Sequence, residues 1–366
     1  MYINGKFLAQ PITGVQRYAL HVLLTVDSLL QEGQWVTNEP LVLLAPTTHL
    51  HATAAFTRLE VREIAAGHLH LWEQWRLPRA TRGDRLLNLA GSAPLFKRGQ
   101  ICTFHDTAVF DMPQAYNRAF TCWYRLLFTV QGRLSHRLLT VSDFSKARIC
   151  HHLRVDPGKV GVVHGAADHM LAHQADYGVL PRLDVTPGRY FIAVGSANPT
   201  KNFARLVEAF AGLPQADTRL VVVGGSNSAV FNDREEKGCH DARIVRAGRL
   251  TDAELKALYI HARAFVFPSV YEGFGLPPIE AMLCGCPVLA ARAASIPEIC
   301  GPAAAYFDPL SLTSMRKAMA RALHDDTWLD SLRAAGRERA SLFSWHNAAT
   351  GLLQQLASLG VVRRAA

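Results

Sequence analysis

Two carboxylates, Glu272 and Glu280, flank a loop built around Gly273 and Gly275. The glycines let the backbone turn tightly and approach a ligand with no side chain in the way. Pro277 and Pro278 follow the loop. Proline suits the opening of a helix, where its missing N–H would be unpaired anyway, and Gly285 is a good helix stop. These residues predict an apolar strand ending at Phe267 and a loop carrying Glu272. A short helix with Glu280 in its first turn and a buried strand from Pro287 to Ala290 follow. Backbone amides and the positive end of a helix dipole would then stand beside the loop, an anion site suited to phosphate. Taken singly, an acid in a first turn is favoured by the dipole alone, and an acid in a loop is ordinarily just solvated. Two acids set on two elements around one glycine loop are expected to line one pocket.

The whole string goes further. Glu272-Gly273-Phe274-Gly275-Leu276-Pro277, then Glu280, then Ala281-Met282-Leu283-Cys284-Gly285-Cys286-Pro287-Val288 resembles the Glu-x7-Glu signature of the retaining family 4 glycosyltransferases, which have the GT-B fold. Val194-Gly195-Ser196-Ala197-Asn198-Pro199-Thr200-Lys201-Asn202 looks like the strand-turn-helix that opens the second domain of that family. Thr251 to Leu258 resembles its Ser/Thr-Asp-x-Glu-Leu helix. Near the start, Thr13 to Tyr18 looks like the glycine loop after the first strand; His105-Asp106 follows a strand, and Val141 to Ser145 is similar to the serine turn before a helix. Nearly the whole chain is covered, the C-terminal half more specifically.

The resemblance implies a nucleotide-sugar donor, and each part of such a donor asks for a particular partner. Glu280 matches the acid that accepts from the ribose diol. Lys201 matches the lysine that meets the diphosphate. Gly14, Val15 and their neighbours match the loop that closes on the same phosphate. Glu272 and the backbone of Gly273, Phe274, Gly275 and Leu276 match the groups that hold the sugar hydroxyls, and Gly195 the strand-end glycine. His105 matches the residue that meets the sugar near its anomeric carbon. Asp106 reads as a cap or turn residue, and Ser142 either as a helix cap or as an edge contact. Many members place an arginine directly before the lysine or just after the strand glycine; here those positions hold Thr200 and Ser196. Arginine grips phosphate bidentately as lysine does not, so Arg17 or Arg249 is the candidate to compensate. The implied reaction retains anomeric configuration by front-face attack. It needs no cofactor beyond the donor and no metal, since the chain has no Asp-x-Asp motif and the lysine and dipoles would steady the leaving diphosphate. Catalytic roles fall to His105, Glu272 and Lys201. The expected donor is GDP-mannose and the acceptor a glycan or lipid-linked saccharide of a surface polysaccharide. A UDP- or dTDP-sugar, a synthase or phosphorylase of the same fold, and a non-catalytic nucleotide-sugar-binding subunit are the alternatives.

Strands alternating with helices position these motifs and imply parallel sheets covered on both faces. The expected fold is α/β, two Rossmann-like doubly wound domains facing a central cleft. Residues 1–172 form the N-terminal acceptor domain, 173–187 a linker, 188–344 the donor domain and 345–366 a helix crossing back. The strand expected first is Tyr2 to Phe7, followed by a loop beginning at Gly14 and a helix from Gln16 to Leu30. All the candidate motifs fall just after predicted strands, where such sheets place ligands.

Composition bounds the rest. At 366 residues the length suits two domains, and 49% hydrophobic content is ample for packed cores. The net charge of +9 is spread over both halves, which suits anionic small ligands or an anionic lipid surface better than the single basic stripe of a nucleic-acid binder. Seven cysteines without regular spacing argue against a disulfide framework and for buried thiols in a reducing cytoplasm. Met1 to Lys6 lacks the apolar core of a signal peptide. No run approaches the roughly 18 apolar residues that span a bilayer, so membrane contact would be peripheral, on the inner face. Arg76, Arg79, Arg82 and Arg85 are regularly spaced, but Pro78 and Gly83 forbid one smooth helix. They read as solvated, with a lipid phosphate as the alternative partner.

Overall fold

Apolar strands and amphipathic helices build two units, each with its own parallel sheet. The computed structural model describes residues 1–48, 56–196, 198–225 and 241–365. Unit 1 comprises Met1–Thr107, Cys122–Ala166 and Ser344–Ala366, and unit 2 comprises Ala108–Thr121 and Ala167–Phe343.

In unit 1 the strands are β1 (Tyr2–Asn4), β2 (Trp35–Thr37), β3 (Val42–Pro46), β4 (Glu60–Ile64), β5 (Leu86–Asn88), β6 (Gln100–Thr103), β7 (Arg137–Thr140) and β8 (Val160–Val162). Seven of them form a parallel sheet in the order β4-β3-β1-β5-β6-β7-β8. Leu43, Leu86, Leu87, Ile101, Leu138 and Leu139 are fully buried, the near-continuous apolar reading expected when both faces are covered. The helix Gly14–Gln31 buries Tyr18, Val22, Val26 and Leu29 at helical spacing. Gly14 is its first residue rather than part of a loop. Thr13 and Gln16 form a capping box that starts the helix two residues before the apolar periodicity does. The helix Trp345–Ala357 belongs to this unit and buries Trp345, Ala349, Leu352 and Leu356.

Unit 2 holds β9 (Tyr190–Val194), β10 (Arg219–Val223), β11 (Ile244–Gly248), β12 (Ala264–Phe267), β13 (Val288–Ala291) and β14 (Ala304–Phe307), ordered β11-β10-β9-β12-β13-β14. This is the 3-2-1-4-5-6 order of dinucleotide-binding sheets, and the order reverses between β9 and β12. β15 (Val362–Arg364) returns to unit 1 and pairs antiparallel with β2. Both are three residues long, too short for alternation to betray them.

Residues 173–187, without periodicity in the sequence, carry a one-turn helix at Val179–Arg182 and group with unit 2. Val179 and Leu180 are buried there, and Pro181 and Pro187 confine the pattern to one turn.

Candidate functional site

The sheet of unit 2 ends in glycines where the backbone has no room for more. A Cβ on Gly224, which has φ +140°, would stand 1.8 Å from the Gly195 carbonyl oxygen. A Cβ on Gly195 would meet Cγ and Cδ of Lys201 at 3.3 Å. The bare strand end therefore lets the lysine stem lie across it. Lys201 closes the 3-10 turn Pro199–Lys201, and the helix Phe203–Ala211 begins two residues later. Between them Asn202 adopts a left-handed φ of +59°. Its Nδ2 donates to the carbonyls of Pro268 at 3.1 Å and Pro309 at 2.8 Å, anchoring the lysine segment to the ends of β12 and β14.

Lys201 Nζ donates to Glu272 Oε1 at 2.6 Å, and both side chains are mostly buried. One group follows β9 and the other follows β12, so the pair stands where the strand order reverses. The Phe267 ring lies 5.8 Å from Nζ, and the same ring would sit 3.4 Å from a Cβ on Gly275. With φ +93°, Gly275 caps the helix Leu276–Leu283. Ser295 props this loop: its Oγ is shared between the carbonyls of Glu272 at 3.0 Å and Phe274 at 3.2 Å. The Val270 amide donates to the Thr200 carbonyl at 2.8 Å, binding the two loops backbone to backbone. Tyr271 Oη donates to Asp111 Oδ2 at 2.7 Å, within the same unit.

Glu280 is the fifth residue of its helix, not a first-turn acid, because the helix opens at Leu276 before the prolines. Pro277 and Pro278 carry no N–H, so the helix start offers fewer amides than the sequence reading implied. The helix ends as expected. Gly285 has φ +73°, its amide donates to Met282 O, and the Cys286 amide reaches Ala281 O, a Schellman stop. Glu280 is buried, with Oε1 3.4 Å from Nε2 of buried His169. Burial pushes the Cys284 thiol up to about 12 and holds Cys286 above its usual range, so neither supplies a thiolate beside these acids.

In unit 1 the order reverses between β1 and β5, and the helix Gly14–Gln31 starts beyond β1. A Cβ on Gly91, which follows β5 at φ +71°, would approach His105 Cδ2 at 3.7 Å and Val15 Cγ1 at 4.0 Å. Val15, next to Gly14 in the chain, and His105 are thus brought to one spot. The Tyr18 ring meets the imidazole edge-on at 5.0 Å. His105 Nε2 lies 2.8 Å from the Leu89 carbonyl oxygen. That oxygen only accepts, so Nε2 carries the proton and Nδ1 is left as an acceptor. Burial pushes His105 down to about 4, and the Leu89 contact offsets this only in part. The imidazole is therefore neutral near pH 7. It can accept from a hydroxyl but cannot serve as a cation.

Thr200 is buried and Ser196 half-buried, so neither position substitutes for an arginine. Arg249 is exposed after β11 and lies against Gly225, where a Cβ would be 2.9 Å from its Nε. Arg17 is half-buried at the end of the first turn of its helix. Ser142 is buried and caps the helix Asp143–Leu153 by accepting from Ser145 N at 3.0 Å. Ala197 lies outside the described residues. Sequence reasoning did not single out Asn202, Ser295 or His169. A lysine-asparagine step before a helix hints at the first; nothing in the spacing marks the other two.

Residues 184–340 match the sequence profile described as glycosyl transferases group 1. The chain is 31% identical over 259 residues to O-antigen chain mannosyltransferase B of Escherichia coli, covering 68% of each. It is 27% identical over 230 residues to the serotype-specific mannosyltransferase WbdA of Escherichia coli, 61% of this chain but only 27% of that protein. Among solved structures it resembles a sucrose-phosphate synthase from Thermosynechococcus elongatus, with TM-score 0.74 and 19% identity over 98% of both chains. HepE from Anabaena, solved with UDP and glucose, gives TM-score 0.72 at 16% identity over 98% of this chain and 99% of that one. These structural likenesses give the fold, two Rossmann-like parallel-sheet domains of the GT-B class.

Proposed function

Because this chain belongs to the group 1 glycosyltransferases, we propose that it is a retaining mannosyltransferase of the family 4 type. It moves mannose from GDP-mannose to a glycan or lipid-linked saccharide acceptor in O-antigen-like polysaccharide synthesis in the cytoplasm. The observation that carries this reading is the Lys201–Glu272 pair at the reversal point of a dinucleotide-type sheet. That is where open parallel sheets bind nucleotides. The mannosyltransferase relatives support the choice of sugar.

Lys201 has three N–H donors, so it can keep Glu272 and still reach a diphosphate oxygen. Glu280 accepts from the ribose diol, with His169 steadying it. Glu272 and the backbone from Gly273 to Leu276 hold the sugar hydroxyls. Arg249 adds the second positive charge on the diphosphate. In the transfer itself the acceptor oxygen bonds to the anomeric carbon as the bond from that carbon to the phosphate oxygen breaks. The leaving phosphate takes the acceptor proton on the same face, so no side chain is needed as a base.

HepE was solved with UDP, which favours a UDP-sugar as the second reading. A thermal-shift series with GDP-mannose, GDP, UDP-glucose, UDP and dTDP-glucose separates the two, because a ligand that binds only the native state raises its apparent stability. The largest shift is expected with GDP-mannose. A larger one with a uridine nucleotide would replace the donor, and no shift with any nucleotide would refute the site. Donor hydrolysis by the purified protein distinguishes an enzyme from a binding subunit.

A further inference from the structure

One surface of unit 1 is apolar without any need from the core. The helix Leu69–Leu71, the π-helical turn Trp72–Arg76 and the helix Leu77–Ala80 run on from one another. Their inner side is accounted for by Trp72 and Leu77, which pack fully buried with Val42, Leu44 and Leu86. Their outer side carries Leu71, 60% exposed, and Trp75, 58% exposed. Phe96 is 79% exposed on the neighbouring loop. Gln74 clamps that loop beside the helical segment, donating from Nε2 to Ala93 O at 3.0 Å and accepting the Leu95 amide at 2.8 Å. A single exposed leucine needs no explanation, but three large apolar side chains on two clamped segments do.

The charge around them is one-sided. Residues 69–98 hold six Lys and Arg against two acids, and one of the acids, Glu73, is buried. Arg76, Arg79, Arg82 and Arg98 are exposed. The Arg79 guanidinium stands 5.3 Å from the Trp75 ring centroid, so a cation and an aromatic share one spot. Lys97 is spent internally, donating to Thr81 O at 2.7 Å and Asp84 O at 2.8 Å, which fastens the base of the Phe96 loop.

We propose that this face, with exposed Leu71, Trp75 and Phe96 and with exposed Arg79, Arg82 and Arg98 on the same stretch of chain, docks unit 1 onto an anionic lipid bilayer. A tryptophan and a phenylalanine suit the headgroup boundary, where one side is apolar and the other wet. Arginines at the rim meet lipid phosphates while their stems stay on apolar surface. No helix among the described residues is long and apolar enough to cross a membrane, so the contact lies on the bilayer surface. It rests on these side chains and not on the donor assignment.

The test is co-sedimentation of the full chain with vesicles of phosphatidylcholine alone or with about one-third phosphatidylglycerol. Wild type is expected to pellet with the anionic vesicles, less so at high salt, and to stay in solution with the neutral ones. The pairs Trp75→Ala with Phe96→Ala, and Arg79→Glu with Arg82→Glu, should each weaken partitioning by roughly tenfold or more. Both pairs leave Trp72 and Leu77 in place; far-UV circular dichroism verifies the fold, and nucleotide binding should be unchanged. Equal binding to neutral vesicles, no binding by wild type, or folded variants that pellet like wild type would each overturn the proposal. A patch that instead captures a protein would show as wild type failing on vesicles. None of these results bears on the nucleotide-sugar reading.

Discussion

Lys201 Nζ and Glu272 Oε1 meet at 2.6 Å, joining the turn after β9 to the loop after β12. The two strands are neighbours in the sheet, and the segments that follow them are also tied by the Val270 amide donating to the Thr200 carbonyl at 2.8 Å. A cation and a carboxylate thus stand together where the strand order reverses. With both side chains largely shielded, the coupling is expected at the upper end of the range for surface pairs. A double-mutant cycle of Lys201→Met and Glu272→Gln in urea denaturation should give a coupling of about 1 kcal/mol. Strict additivity would mean that the contact does not persist in solution.

Asn202 holds the lysine segment through two carbonyls while its own backbone is left-handed. Asparagine tolerates that conformation better than alanine does. Asn202→Ala loses both bonds and strains the turn, and should destabilise the protein by roughly 2–3 kcal/mol. Asn202→Gly loses only the bonds and should cost less. Denaturation midpoints check the ordering; equal losses for the two variants would mean that the hydrogen bonds alone matter and the left-handed backbone carries no cost.

His105 gives a pH dependence with a definite sign. Its folded value is about 4, below the ordinary value near 6.5. Between these limits the unfolded chain takes a proton that the folded chain does not. The neutral imidazole's contribution is therefore complete above about pH 6.5 and is lost as the pH falls toward 4. Comparing wild type with His105→Asn, the stability gap should narrow by up to about 3 kcal/mol between pH 7 and pH 4.5. A gap that stays constant would mean that the imidazole is not enclosed.

Ser295 is fully buried, and its hydroxyl donates to the backbone carbonyls of Glu272 and Phe274. Ser295→Ala should raise the donor KM by roughly 3- to 10-fold with kcat less affected. Steady-state kinetics with Ser295→Thr as the conservative control checks it. Unchanged KM would show that the loop holds its shape without that hydroxyl.

Much of this was legible in the sequence. The strands Tyr190–Val194, Arg219–Val223 and Ala264–Phe267 stood out as apolar runs, because strands buried on both faces carry no polar interruption. The glycine loop with Glu272 was legible because Gly275 and Gly285 need positive φ. The start of the Gly14 helix was misjudged because a capping box, not periodicity, sets it. His169 and Ser295 were invisible for another reason. Each acts on a group more than twenty residues away, and nothing local in the chain records such a contact.

The most direct measurement is the initial rate of mannose transfer from GDP-mannose by wild type, Glu280→Ala and Lys201→Ala, each with its fold verified by circular dichroism. A donor held at the reversal point of unit 2 predicts losses of about a hundredfold or more in both variants. Near-normal turnover in either would contradict it.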